Sequence, residues 1–166
     1  YTEENGAGEQ FDAAYVIAEN MTVYAKWTAN AEVTLTYDKA AADASEVVPN
    51  TTETVLSGQS LTNAGKELGR TSRPGYTFGG WYTETEGSGS QFTETTAIAE
   101  SMTVYAKWIP NANVTLTYDK DAEDASAVLP NATETVLSGQ SLANAGKDLG
   151  ITSRPGYTFG GWYTGK

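Results

Sequence analysis

The chain has 166 residues, 39% hydrophobic and 11% aromatic, with no cysteine and no histidine. That composition is globular, and it excludes disulfides, thiolate metal sites and the commonest general base. The net charge of −11, from 21 acidic and 10 basic residues, disfavours nucleic acid and anionic membrane surfaces as partners.

The chain is written twice. Met21–Trp27 (MTVYAKW) returns as Met102–Trp108, and Ser72–Thr83 (SRPGYTFGGWYT) returns as Ser153–Thr164, both offset by 81 positions. A fixed period marks a tandem array. Each unit is close to the smallest size that folds on one core, so aromatic side chains must supply much of the burial.

In chain order, Met21–Trp27 reads as a strand with Met21, Val23, Ala25 and Trp27 facing one way. Val33–Tyr37 alternates apolar and polar, a half-buried strand. Asp38–Asn50 is a loop rich in Ala, Asp and Ser. Thr54–Leu56 is a second short strand, closed by Ser57-Gly58. Ser60–Gly69 reads as the one helix. Ser60 is its N-cap, Leu61, Ala64 and Leu68 form one face, and Gly69 sits at the C′ position, with Gly65 counting against it.

Arg73-Pro74-Gly75 is a turn. Tyr76–Tyr82 is a third strand, with Tyr76, Phe78 and Tyr82 on one face and Trp81 on the other. Gly79-Gly80 lies inside it, where glycine marks a bulge or a close backbone approach. Phe92 and Ile98 are isolated apolar anchors in a Thr-rich stretch. Met102–Trp108 is the last strand. One helix covering one sheet face gives an α+β unit.

GYTFGGWYT, then an anchor such as Phe92, then MTVYAKW closing the unit, resembles the Listeria–Bacteroides repeat, the B-repeat type of internalin B and other bacterial surface proteins. The resemblance runs through the whole chain. It implies a ubiquitin-like β-grasp fold, each repeat a four-stranded mixed sheet with one helix. It also implies a stalk or adhesin module on a cell-wall-attached, extracellular protein of a Gram-positive bacterium.

The strand order such a fold implies sets the frame. Its first and last strands are parallel neighbours, and joining them takes a crossover of a dozen or more residues. Only five residues separate Trp27 from Val33, which suits a linker between repeats. The frame is therefore residues 1–28 as the C-terminal part of one repeat, 29–109 as a complete repeat, and 110–166 as the N-terminal part of another. The chain reads as a segment of a longer array. The two partial repeats together hold 85 residues, and 1–28 is expected to lend its strand to 110–166, within one chain or between chains.

For chemistry, the serines have no imidazole to activate them, and the phosphate-binding glycine patterns are missing. No catalytic role is expected. Asp38, Asp43, Glu84 and Glu86 are loop acids without a calcium-loop pattern, so no metal or cofactor is expected. Lys26 and Lys107 are amine donors for an intramolecular crosslink, but their alternation with apolar neighbours turns them outward. The sharper candidates are aromatic: Trp81, Tyr82 and Tyr105, with Trp162 and Tyr163 in the second copy. Exposed, they would stack on a glycan or anchor a host protein, with repeats adding avidity. Buried, they leave the repeat as a structural spacer that gives reach.

Overall fold

A computed structural model describes residues 1–165 of the chain. Its centre is one mixed sheet of five strands: β1 (Glu32–Asp38), β2 (Thr52–Leu56), β3 (Tyr76–Tyr82), β4 (Gln91–Phe92) and β5 (Met102–Pro110). Their order is β2-β1-β5-β3-β4. β1 and β5, the first and last strands, are parallel neighbours in the middle, with Leu35 opposite Met102 and Asp38 opposite Tyr105. Every other pairing is antiparallel. A separate two-stranded sheet, β6 (Asn113–Thr117) with β7 (Thr133–Leu137), repeats the β1–β2 hairpin of the complete unit.

The fold class expected from sequence, α+β with a helix over a four-stranded β-grasp sheet, is not what forms. Among the described residues the helical segments are two three-residue 3-10 turns, Glu4–Gly6 and Thr85–Gly87. The protein is nearly all β, and the repeat has five strands where four were expected.

The expected helix fails for a local reason. Ser60 does cap a turn: its Oγ accepts from the Asn63 N–H, and its carbonyl accepts from Ala64. Gly65 then takes φ +66°. Its N–H bonds to Thr62 O while Lys66 N–H bonds to Leu61 O. This pair of bonds, 5→2 and 6→1, is the Schellman stop. Gly65, not Gly69, ends the turn, after a single revolution. Leu61 is fully buried, and Ala64 and Leu68 pack against the core, so their spacing records burial under a coil layer rather than helix.

Trp81 faces the core, against its expected placement opposite Phe78. Phe78 pairs with Trp108 and Trp81 with Ala106, so three steps along β3 match two along β5. Gly79 and Gly80 hold the extra residue, with Gly80 at φ +106°. A bulge flips the parity of everything beyond it. Phe78 and Trp81 therefore meet edge to face, centroids 5.3 Å apart.

Trp81, Phe92, Leu35, Leu61, Ile98 and Val104 are fully buried. Each fully buried side chain of this kind contributes about 1.5–3 kcal/mol. The opposite face of the sheet carries Thr34, Thr36, Thr54, Thr103 and Tyr105, none of them buried, the one-sided pattern of a sheet that meets water on one face. A carboxylate also lies on the core side. Glu53, opposite Leu35, is 4% exposed and accepts from Lys66 Nζ at 2.7 Å and Asn50 Nδ2 at 2.8 Å. Buried charge is tolerated only with such partners.

Outside this sheet, identical sequence takes other forms. Met21–Trp27 is not in a sheet, and all seven residues are exposed. Its backbone bonds run to Tyr1: Tyr24 N–H to Tyr1 O at 2.8 Å, and the amino terminus to Tyr24 O at 3.0 Å. Tyr157–Tyr163 repeats β3 in sequence but forms no strand beyond one bridge, Arg154 to Tyr157.

Candidate functional site

The sequence candidates separate on burial. Trp81 has no exposed surface, and its Nε1 donates to Gly69 O at 2.7 Å. The ring stacks at a tilt on Tyr37, centroids 4.8 Å apart. It is a core residue and presents nothing to a glycan. Tyr82 and Tyr105 are cross-strand partners on the water-facing side. Both are half-buried, and Lys107 Nζ caps the Tyr82 ring at 5.1 Å. The Lys107 stem lies against Gly79, and a Cβ at Gly87 would strike it. The Tyr82 ring is therefore partly roofed by a lysine.

Trp162 and Tyr163 have a different setting. Trp162 keeps the contacts of its counterpart: Tyr118 at 4.8 Å, Phe159 at 5.2 Å, and a hydrogen bond from Nε1 to Gly150 O at 2.6 Å. It is only half-buried, however, and Tyr163 is 86% exposed. Between them and Asp119-Lys120 opens a cleft of about 380 Å³, floored by Phe159 and Trp162.

The complete repeat shows what occupies this place. The residues 81 positions earlier are Asp38, Lys39, Phe78, Trp81 and Tyr82. There β5 runs between β1 and β3 and fills the space. The Trp108 ring lies 5.5 Å from Phe78, and its Nε1 donates to Lys39 O at 2.8 Å. The cleft at Trp162 is thus shaped for a strand that ends in tryptophan. Lys120 and Phe159, which sequence reading did not single out, are part of it. Their counterparts Lys39 and Phe78 were legible only through contacts to a strand 69 and 30 residues away.

A second site, also missed, joins the two repeats. β5 continues through Ile109 and Pro110, pairing them with Thr77 and Tyr76, so the linker shrinks to Asn111-Ala112. Asn111 N–H donates to Gly75 O at 2.9 Å, and its Oδ1 accepts from Thr77 Oγ1 at 2.9 Å. Its Nδ2 donates to Ser138 O at 2.8 Å, while Ser138 N–H bonds Ala112 O. One side chain therefore touches both repeats. Asn30 makes the corresponding bond to Ser57 O at 2.8 Å. A signal was present: Asn-Ala recurs at 30–31 and 111–112 although the residues before it differ.

Of the loop acids, Asp43 is held in an ion pair. Arg73 Nε meets Asp43 at 2.8 Å, and this hydrogen-bonded guanidinium holds the Asp43 carboxyl below its ordinary range. Arg154 does the same for Asp124. No group of three metal-ligating side chains occurs among the described residues.

The Listeria–Bacteroides repeat domain matches the chain over residues 33–107 and 114–166. The first segment lies within the five-stranded sheet and the second begins in β6. A protein of Evansella cellulosilytica named "Putative membrane protein" is 41% identical over 100 residues, covering 58% of this chain and 14% of its own length. The chain therefore spans only a small part of that relative. No solved structure matches this chain. Among the described residues no helix is long and apolar enough to cross a membrane.

Proposed function

The chain belongs to the Listeria–Bacteroides repeat domain family, whose repeats are typical of bacterial surface proteins, and we propose that it is a non-catalytic spacer. In this reading it is part of a stalk that holds a distal domain away from a cell wall, outside the cell.

The observation that carries the reading is the placement of β1 and β5. They are parallel neighbours in register from Leu35–Met102 to Asp38–Tyr105. The chain enters at the start of one and leaves at the end of the other. At about 3.3 Å per residue, entry at Glu32 and exit at Pro110 lie roughly 36 Å apart along the sheet. Tension applied through an array then slides the two central strands past each other, loading all their hydrogen bonds together. The Asn111 joint supports the same reading, because it links consecutive repeats by side-chain and backbone bonds rather than by a free tether.

The test is stiffness. Spin labels at Thr54→Cys in β2 and Thr135→Cys in β7, at corresponding positions of the two copies, read the distance between them. A spacer gives one narrow distance distribution. A broad distribution, as from a flexible linker, contradicts it.

The alternative, a module for host protein or glycan, draws support in the complete repeat from Tyr82 and Tyr105 and in the second copy from the exposed Tyr163, because Trp81 is enclosed. Saturable binding of a glycan or matrix protein, abolished by Tyr105→Ala, would favour that reading over a passive spacer.

A further inference from the structure

Two different side chains share the buried carboxylate of the complete repeat. Glu53 lies opposite Leu35 on the core side of β2 and is 4% exposed. Its Oε2 accepts from Lys66 Nζ at 2.7 Å, and its Oε1 accepts from Asn50 Nδ2 at 2.8 Å. A primary amine and a carboxamide therefore sit on the two oxygens of one acid. The second copy repeats the group: Glu134, 5% exposed, accepts from Lys147 Nζ and from Asn131 Nδ2. All three residues recur at the offset of 81, although nearby Thr51, Thr62 and Arg70 become Ala132, Ala143 and Ile151.

The fold brings the three together from separate places. Asn50 ends the loop before β2, and Glu53 is inside β2. Lys66 follows the Schellman stop, where the bond from its N–H to Leu61 O fixes the start of its stem. The lysines that the sequence suggested as crosslink donors lie elsewhere. Lys26 sits over the Tyr1 ring and Lys107 over the Tyr82 ring. Lys39 pairs with Glu46, and Arg73 with Asp43, without a carboxamide on the same acid.

We propose that Lys66 forms an amide bond with the side chain of Asn50, with Glu53 as the catalytic residue. Glu53 takes a proton from the Lys66 ammonium and frees the amine as a nucleophile. Nζ attacks Asn50 Cγ, and the new C–N bond gives a tetrahedral adduct. Glu53 returns its proton to Nδ2, the Cγ–Nδ2 bond breaks, and ammonia leaves with the second proton of Nζ. A lysine ammonium and a carboxamide thus become a secondary amide and an ammonium ion. Nothing is oxidised or reduced, and Glu53 ends as the carboxylate it began as.

The setting favours this step in three ways. The shared acid holds both reactants, and well-placed groups within one molecule reach effective concentrations of about 10⁵–10⁸ M. Tyr37, the next core-facing residue of β1 after Leu35, has a buried hydroxyl with no hydrogen-bond partner among the described residues. It is a free donor on the same face for the oxyanion of the adduct. The Lys66 side chain is 34% exposed, which leaves ammonia a way out. A lysine ammonium loses its proton rarely at neutral pH, so the step is slow, but it has to run only once per molecule. The ion pair seen here is the reactant, and an acid response resting on it belongs to the unreacted chain. The bond does not depend on the spacer reading, which the distance distribution tests separately.

Intact mass of the full-length chain, denatured before weighing, is the test. The expected value lies below the sequence mass by two molecules of ammonia, one per copy. Proteolysis is expected to release a branched peptide joining Asn50 to Lys66. Lys66→Arg keeps a cation on Glu53 but offers no amine, so the deficit should fall to one ammonia. Asn50→Ala should do the same. Glu53→Gln, with its fold checked by circular dichroism, should also leave Lys66 and Asn50 unjoined. A mass equal to the sequence mass overturns the proposal, as does a deficit unchanged by Lys66→Arg or the absence of the Asn50–Lys66 peptide. Loss of water in place of ammonia also overturns it, since that puts the bond on a carboxylate. A bond that persists in folded Glu53→Gln removes Glu53 as the catalyst.

Discussion

Trp108 Nε1 donates to the carbonyl of Lys39 at 2.8 Å across 69 residues of sequence, tying the last strand to the end of the first. The ring also closes the aromatic row Trp108–Phe78–Trp81–Tyr37. Trp108→Ala should therefore recreate in the complete repeat the cleft that the second copy already has. A loss of about 3 kcal/mol is expected, as for other large core truncations. Trp27→Ala, with its ring 89% exposed, should leave the stability of the complete repeat unchanged. Denaturant midpoints at constant m-value check both.

Gly65→Ala tests why the expected helix stops. If the segment were helical there, alanine would stabilise it by about 1 kcal/mol. At φ +66° a Cβ is strained even though no atom lies within 4 Å of it. The structure therefore predicts a loss of roughly 1 kcal/mol and no gain in helical circular dichroism.

Acid should find Glu53. Burial alone would raise its carboxyl pKa, but hydrogen bonds from Asn50 and Lys66 outweigh that and hold it below the ordinary value. A lowered folded-state pKa means the carboxylate stabilises the fold above the unfolded value of 4.5. That contribution is lost as pH falls through the folded pKa. Unfolding midpoints should hold level from neutral pH to about 5 and fall below that. Glu53→Gln should start lower and fall less steeply over the same acid range.

Asn111→Ala should separate joint from fold. It removes the bonds to Thr77 and Ser138 but no core residue. Thermal stability should drop by about 1 kcal/mol or less for these exposed hydrogen bonds. The Thr54–Thr135 distance distribution should broaden. Asn30→Ala, whose side chain bonds only to Ser57, should leave that distribution as it is.

Much of the complete repeat was legible. The strand at Tyr76–Tyr82 was expected at the bounds it has, and the core face of Met102–Trp108 follows from simple alternation. Phe92 and Ile98 stood out as apolar anchors and are buried. The failures share a cause, which is that local pattern does not determine the partner. Leu61, Ala64 and Leu68 suit a helix by spacing, but one positive φ at Gly65 ends it. Alternation through Gly79-Gly80 put Trp81 on the wrong face because a bulge changes the count. The clearest case is MTVYAKW itself. It is a central strand at 102–108, between β1 and β3, and not a strand at 21–27, where no such neighbours flank it. β-structure is decided by what lies alongside. The site was less legible still, because the cleft at Trp162 is defined by a strand, and Asn111 by contacts on both sides of a joint.

The central claim is that this repeat bears load along its array through the parallel β1–β5 pair. Single-molecule pulling of the chain in two directions tests it most directly. One attachment is at Ala29 and Ala112, along the array. The other is at Ala29 and Ser57, which peels the β1–β2 hairpin one bond at a time. The account predicts a clearly higher unfolding force along the array, where the β1–β5 bonds share the load. Equal forces in both directions, or a lower force along the array, would contradict it.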